Sequence, residues 1–252
     1  MVTRKALLIC SSSSAGHNIN NLPAELEATR QFLLSPIGGA WQEEEITIVL
    51  AASEKSLLAE VLNAEADYNI TCFFGKSFPS KDKRHFLILN DNTFIEDVDL
   101  LNASPRQLVL VDDEGGTETI FIQAEAGDPV ELRKARSMYD KWIEMSGEGK
   151  VIMHSGDEST VQRPKHKAGL FIRKLLQVAS SIAPTSERYQ LKNILSAGQE
   201  TPDLLLELGF EEGPVITWSQ GNIRLPFAMA LPLPPHLLPV PVGARFRSGF
   251  DI

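Results

Sequence analysis

The sequence predicts a three-layer α/β domain with a largely parallel central sheet, and three observations lead there. First, the segments follow the order strand, helix, strand, helix, strand, hairpin-like insert, strand, helix, strand, helix. Second, Ser104–Glu118 reads SPRQLVLVDDEGGTE. Its continuous apolar run, Leu108 to Val111, lies between Ser104–Pro105 and Gly115–Gly116. That is the pattern of a buried central strand opening into a tight loop. Third, 252 residues of which 43% are hydrophobic suffice for one large core. Loops at the carboxyl ends of such strands are where open α/β sheets bind ligands. Asp112, Asp113 and Glu114 stand at that point.

In order along the chain, Lys5–Cys10 (KALLIC) is a strand, followed by the small polar loop Ser11–Asn21 carrying His17. Pro23–Leu34 reads as a helix. Pro23 suits its first turn, and Glu25 and Glu27 suit the positive end of its dipole. Leu22, Leu26, Phe32 and Leu33 give it an apolar face, and Pro36 with Gly38–Gly39 ends it. Glu45–Leu50 is the second strand, and Ser53–Leu62 the second helix with Ser53 as N-cap. Tyr68–Phe74 (YNITCFF), rich in β-branched and aromatic residues, is the third strand. It delivers Gly75 and Lys76 to a loop, with Cys72 inside as a small buried hydrophobe.

The insert carries a short strand within Arg84–Asn90, which includes His85, and Ile95–Leu101 leads into the central strand. Thr119–Gln123 reads as a small strand or part of a loop. Pro129–Met145 is a helix with Leu132, Ala135, Tyr139 and Trp142 on one face. Lys150–His154 is a core strand ending in the polar loop Ser155–Lys167, and Gly169–Ile182 is a strongly amphipathic helix. Tyr189–Ser196 reads as a short helix, and Gln199, Thr201 and Pro202 as a turn before the apolar Leu204–Leu208. Arg224–Ala230 is a terminal strand in which Pro226 favours an edge. Five prolines between Leu231 and Val242 make the tail an extended, polyproline-like segment. The expected division is a domain over residues 1–230 and a proline-rich tail over 231–252.

Composition narrows the function classes. A net charge of -9 and a pI near 5.1 leave no basic field for nucleic acid or an anionic membrane. A basic protein or peptide is the easier partner. No segment has the roughly 20 apolar residues of a membrane span, and the apolar run Ala6–Cys10 is too short for a signal peptide. A soluble, cytoplasmic protein is expected. Cys10 and Cys72 sit in strand-like runs, which suggests neither a disulfide scaffold nor a metal cluster. There is no GxGxxG after the first strand and no GxxxxGK[ST], so a dinucleotide or P-loop cofactor is not expected. Glu114 with Asp112 or Asp113 is a conceivable acid/base pair or cation ligand set. Adjacent residues on one loop, however, rarely aim two carboxylates at one point.

Taken together, KALLIC, LLSPIGGAW, YNITCFFGKSF, LVLVDDEGG, KVIMHSGDEST, GLFIRKLLQVA, QETPDLL and LPFA resemble, in order and spacing, the caspase-like fold of prokaryotic caspase-family and metacaspase-type cysteine proteases. The likeness covers roughly residues 4–230. It implies a three-layer caspase-like fold. In that family the third strand ends in Ser-Gly-His-Gly and the central one in Asp-Ala-Cys. The histidine position matches Lys76 here and the cysteine position matches Glu114. Such proteases need a thiolate and an imidazole base within hydrogen-bond reach, and neither replacement preserves its role. An ion pair between Lys76 and Glu114 is one expectation. The acid that holds a basic side chain in metacaspase-like members matches Asp112, and Asp157 and Glu158 add negative charge in the loop after His154.

The resemblance therefore implies a pseudoprotease without metal or cofactor. It would bind a protein or basic peptide, as a regulatory or scaffolding component, with an active caspase-like protease as a candidate partner in prokaryotic stress or defence. Two other readings stand beside it. One is an active cysteine endopeptidase with a relocated dyad, for instance Cys10 with His154. The other is an unrelated α/β module binding a small polar ligand at the first loop and Glu114.

Overall fold

The computed structural model describes residues 2–11, 24–50, 53–90, 93–112, 127–155, 171–180, 190–207 and 214–230. The chain begins β1 (Arg4–Cys10), α1 (Ala24–Leu34), β2 (Ile46–Leu50), α2 (Glu54–Asn63), β3 (Tyr68–Phe74). A small insert follows: β4 (Ser77–Pro79), β5 (His85–Asn90), β6 (Thr93–Glu96). Then come β7 (Arg106–Asp112), α3 (Pro129–Met145), β8 (Gly149–His154) and α4 (Phe171–Ser180). The last described elements are β9 (Gln190–Asn193), α5 (Ile194–Glu207), β10 (Val215–Gly221) and β11 (Pro226–Ala230).

The central sheet has the order β10–β8–β7–β3–β1–β2, with β10 antiparallel and every other pair parallel. The LVLV strand, β7, lies inside it between β3 and β8. Buried on both faces, β1 and β7 have continuous apolar runs rather than alternation. On one face Ala6, Leu8, Cys10, Ile70, Cys72, Phe74, Leu108 and Leu110 pack against α1, α3, α4 and β11. On the other, Leu7, Ile9, Phe73, Val109, Val111 and Ile152 pack against α2 and the insert. The domain is thus an α/β fold with helices and a largely parallel sheet, and with a core on each face.

Capping follows the local sequence. Ser53 caps α2 by accepting the Ser56 N–H at 3.3 Å. Asp128 caps α3 by accepting the Val130 and Glu131 N–H groups at 2.7 and 2.9 Å, with Pro129 in the first turn.

Helix α3 crosses the amino ends of the strands. Arg136 grips Glu45, just before β2, through two bonds of 2.8 and 2.6 Å. Further along, Tyr139 packs against Tyr68 at the start of β3. At its end the Ser146 carbonyl accepts from Arg106 at the start of β7. Arg4 is enclosed beneath this helix. Its guanidinium donates to the Gly39 and Ala40 carbonyls at 2.8 and 3.3 Å. It lies 3.6 Å from Glu45 and 3.5 Å from Asp140, with the Trp41 and Tyr139 rings alongside. Gly39 adopts φ +103°, and a Cβ there would stand 2.7 Å from the Tyr139 ring, so this close approach requires glycine.

The carboxyl-terminal part departs from the sequence reading at three points. Of the expected helix Tyr189–Ser196, residues Gln190–Asn193 form a strand instead, because they pair antiparallel with β11. The expected turn at Gln199, Thr201 and Pro202 lies inside α5, whose first turns bury Ile194, Ala197 and Thr201. The strand β10, not anticipated, closes the sheet on the β8 side. As expected, Pro226–Ala230 is a strand, but it belongs to a two-stranded sheet with β9 and is wholly buried. Residues 12–21 of the first loop, with His17, lie outside the described residues, as do Thr119–Gln123, most of the Ser155–Lys167 segment and the tail 231–252.

Candidate functional site

The order β2–β1–β3–β7–β8 makes β1 and β3 the topological switch point, and in open α/β sheets the crevice at the carboxyl ends there receives ligands. The described part of that edge is tightly built. The Ser11 N–H donates to the Phe74 carbonyl at 3.0 Å, and the Gly75 N–H to the Asp112 carbonyl at 3.1 Å. These bonds prolong the β1–β3–β7 ladder by one step. A Cβ on Gly75 would stand 2.5 Å from the Ser11 hydroxyl, so glycine is what lets the two strand ends meet.

Lys76 follows directly and is exposed, with no ion pair among the described residues. Its carbonyl accepts the Ile88 N–H at 2.9 Å, which ties the insert to the end of β3. Asp112 lies at the carboxyl end of β7, as the sequence predicts, and is buried. Its Oδ2 accepts the Ile172 N–H at 2.9 Å. That amide lies in the first described turn of α4, so the carboxylate ties this end of the helix to the carboxyl end of β7. Asp112 therefore acts on the fold by anchoring α4. Glu114, Asp157 and Glu158 lie outside the described residues.

The two cysteines share a face with Asp112. Burial, and after it the nearby Asp112 carboxylate, pushes the Cys72 thiol well above its ordinary value, the opposite of what a nucleophile requires. Cys10 is also buried. His154 is in register with Val111 on the opposite face. Two strands, β3 and β7, separate β1 from β8, a span of about 14 Å. A dyad of Cys10 with His154 is therefore excluded by geometry.

His154 has other partners. Its Nε2 lies 2.9 Å from Asp97 Oδ2, both side chains being buried, and the His85 ring packs on it with centroids 4.5 Å apart. This cluster joins the insert to the end of β8. Sequence reading placed His85 and His154 on separate strands and passed over Asp97. The signal was present in HFLILN, whose alternation turns His85 inward with Leu87 and Leu89. Among the described residues no group of three or more His, Cys, Asp or Glu side chains is arranged to hold a metal ion. No helix there is long and apolar enough to cross a membrane.

A separate groove of about 710 Å³ opens beside the start of β2. Leu34, Trp41 and Leu132 line it together with Glu43 and Glu44.

No family model matches the sequence, and no curated protein matches it either. Among solved structures, the chain is similar to the protein GSU0716 from Geobacter sulfurreducens, with 12% identity and a TM-score of 0.36 over 93% of this chain and 96% of that one.

Proposed function

We propose that the chain is a catalytically inactive caspase-like protein that works by binding another protein. The observation that carries the reading is Lys76. An exposed ammonium stands at the end of β3, where the resemblance calls for an imidazole. An ammonium at neutral pH cannot accept the proton that peptide hydrolysis must move. The buried Cys72 and the separation of Cys10 from His154 support the same reading, since neither provides a substitute thiolate–imidazole pair.

The partner we favour is a basic peptide or protein tail. The net charge of -9 supports this, as do the acids Asp157 and Glu158 that follow β8 in the sequence. Asp112, buried at the carboxyl end of β7, holds α4 in place and is a further acid at that strand end. The role is regulatory or scaffolding, with an active protease of the same type as one candidate partner.

The test has two arms. Purified chain is assayed against fluorogenic peptides with Arg, Lys or Asp before the cut, with and without calcium. No turnover is expected, and turnover that disappears in Cys10→Ala or Cys72→Ala overturns the proposal. The chain is also titrated with matched Arg-containing and Glu-containing peptides. Preference for the Arg peptide is expected, and equal or absent binding removes the basic partner.

A further inference from the structure

The insert sheet β4–β5–β6 carries a feature that the proposed function does not use. Its inner face follows the alternation of a half-buried sheet: Leu87, Leu89 and Ile95 enter the core. The outer face should then be polar, and it is aromatic. Phe78 pairs across the ladder with Phe86, and Phe94 with Ile88. The three rings form one cluster, with centroids 5.4 to 6.1 Å apart. Phe94 is 55% exposed and Phe78 38%. Three clustered phenylalanines on the open face of a small sheet mark an interaction surface rather than a scattered apolar residue.

The charges around the patch indicate what covers it. Lys76, Lys81 and Lys83 are exposed and make no ion pair among the described residues, whereas Arg84 is held by Glu96 at 2.6 Å. Asp82 is the one acid on the hairpin tip. The tip is firm: the Ser80 N–H donates to the Arg84 carbonyl at 2.7 Å, and the Lys83 N–H to the Ser80 carbonyl at 3.0 Å. With Lys76, Lys81, Lys83 and Arg84 set against Asp82, Glu96 and the exposed Asp99, the described rim keeps a small positive excess on a chain of net charge -9, and it is the unpaired lysines that favour a negatively charged occupant. Nucleic acid fits less well. The Arg84 guanidinium already lies over the Phe86 ring at 5.4 Å, and the other rings pack on one another rather than standing free for bases.

We infer that this face docks an acidic segment of a partner protein, one bearing aromatic or aliphatic side chains between its carboxylates. The phenylalanines supply the apolar anchor, and the lysines supply charge selection and the encounter rate. This surface is independent of the peptidase-like reading and takes a partner of the opposite charge.

The test is selection of a random dodecapeptide phage library on the full chain. Phe94→Ser and the pair Lys81→Glu/Lys83→Glu serve as counter-selections, and circular dichroism verifies that each variant is folded. Peptides rich in Asp or Glu with interspersed Phe, Leu or Trp should be enriched. Binding of the best peptide should fall about tenfold or more in each variant, and for wild type it should weaken with salt. Enrichment of basic or uncharged peptides overturns the inference, as does no enrichment or equal binding to wild type and Phe94→Ser. Tighter binding of a single-stranded oligonucleotide than of any selected peptide also overturns it. Self-association of the chain abolished by Phe94→Ser identifies a second copy as the occupant and overturns it too.

Discussion

Replacing Arg4 with methionine tests the packing at the amino ends of the strands. The guanidinium is almost fully enclosed, and two backbone carbonyls and two carboxylates depend on it. Removing one partner from a buried ionic cluster costs about 3–5 kcal/mol. The lower end applies here for two reasons. Glu45 keeps both bonds from Arg136. Asp140, whose carboxyl burial already pushes above its ordinary value, can take up a proton. The expected loss is thus about 3 kcal/mol, or roughly 6–12 °C in Tm for a domain of this size. Urea denaturation followed by circular dichroism measures it. Adding Asp140→Asn should recover about 1 kcal/mol, because the orphaned carboxylate is then gone. A loss below about 1 kcal/mol for Arg4→Met would refute the reasoning. The network would then be ornament around a residue held by its aliphatic stem.

Two other outcomes follow from the same kind of argument. Asp112→Ala should lower stability by about 1–2 kcal/mol by freeing the Ile172 amide. Asp112→Asn keeps an acceptor and should lose less, and hydrogen exchange should show the difference in the first turn of α4. In the acid range, burial raises the Glu45 carboxyl, but the Arg136 bonds, the Gln42 amide and the Arg4 charge together hold it below its ordinary value. Its contribution is therefore present above about pH 4.3 and is lost as pH falls through the folded value. Asp140, raised by burial, has the opposite sign: its contribution is present below about pH 3.9 and is lost as pH rises through the folded value. Glu45→Gln should thus be less stable than wild type at pH 7, with the gap closing below pH ~4, while Asp140→Asn should lose nothing at pH 7. A constant gap for Glu45→Gln across a denaturation series from pH 3 to 7 would count against this assignment.

The elements most legible in the sequence were those whose local pattern and burial agree. The run LVLV marked an interior strand, and Pro129–Met145 is a helix over the span that its apolar spacing predicts. The misread elements are those whose conformation is decided by a distant partner. Gln190–Asn193 is a strand only because β11 lies beside it. Helix α5 runs through Pro202 because Ile194, Ala197 and Thr201 are fixed in the core, and packing outweighs proline's local preference. The strand β10 sits at the sheet edge, and its VITW run signals a strand although its outer half is polar and exposed. At the site, Lys76 at the end of β3 and Asp112 at the end of β7 were readable from position alone. The use of Asp112 as an anchor for α4 was not, because the amide that it meets is sixty residues away. The His154–Asp97–His85 cluster was hidden for the same reason: its three members come from three elements.

The last described strand also bears on how the chain is made. The Tyr68 and Tyr139 hydroxyls, both in the core, donate to the carbonyls of Pro226 and Phe227, and the Met229 amide reaches back to Ile37. Until β11 arrives, those phenols have only each other as partners, and the apolar side of α1 and α3 lacks its cover. At translation rates of about 5–20 residues per second, the wait between finishing α3 and starting β11 is on the order of 4–16 s. Over that interval a growing chain carries an open core, and its window for capture by chaperones or by a neighbouring nascent chain closes only when the residues after Leu225 emerge.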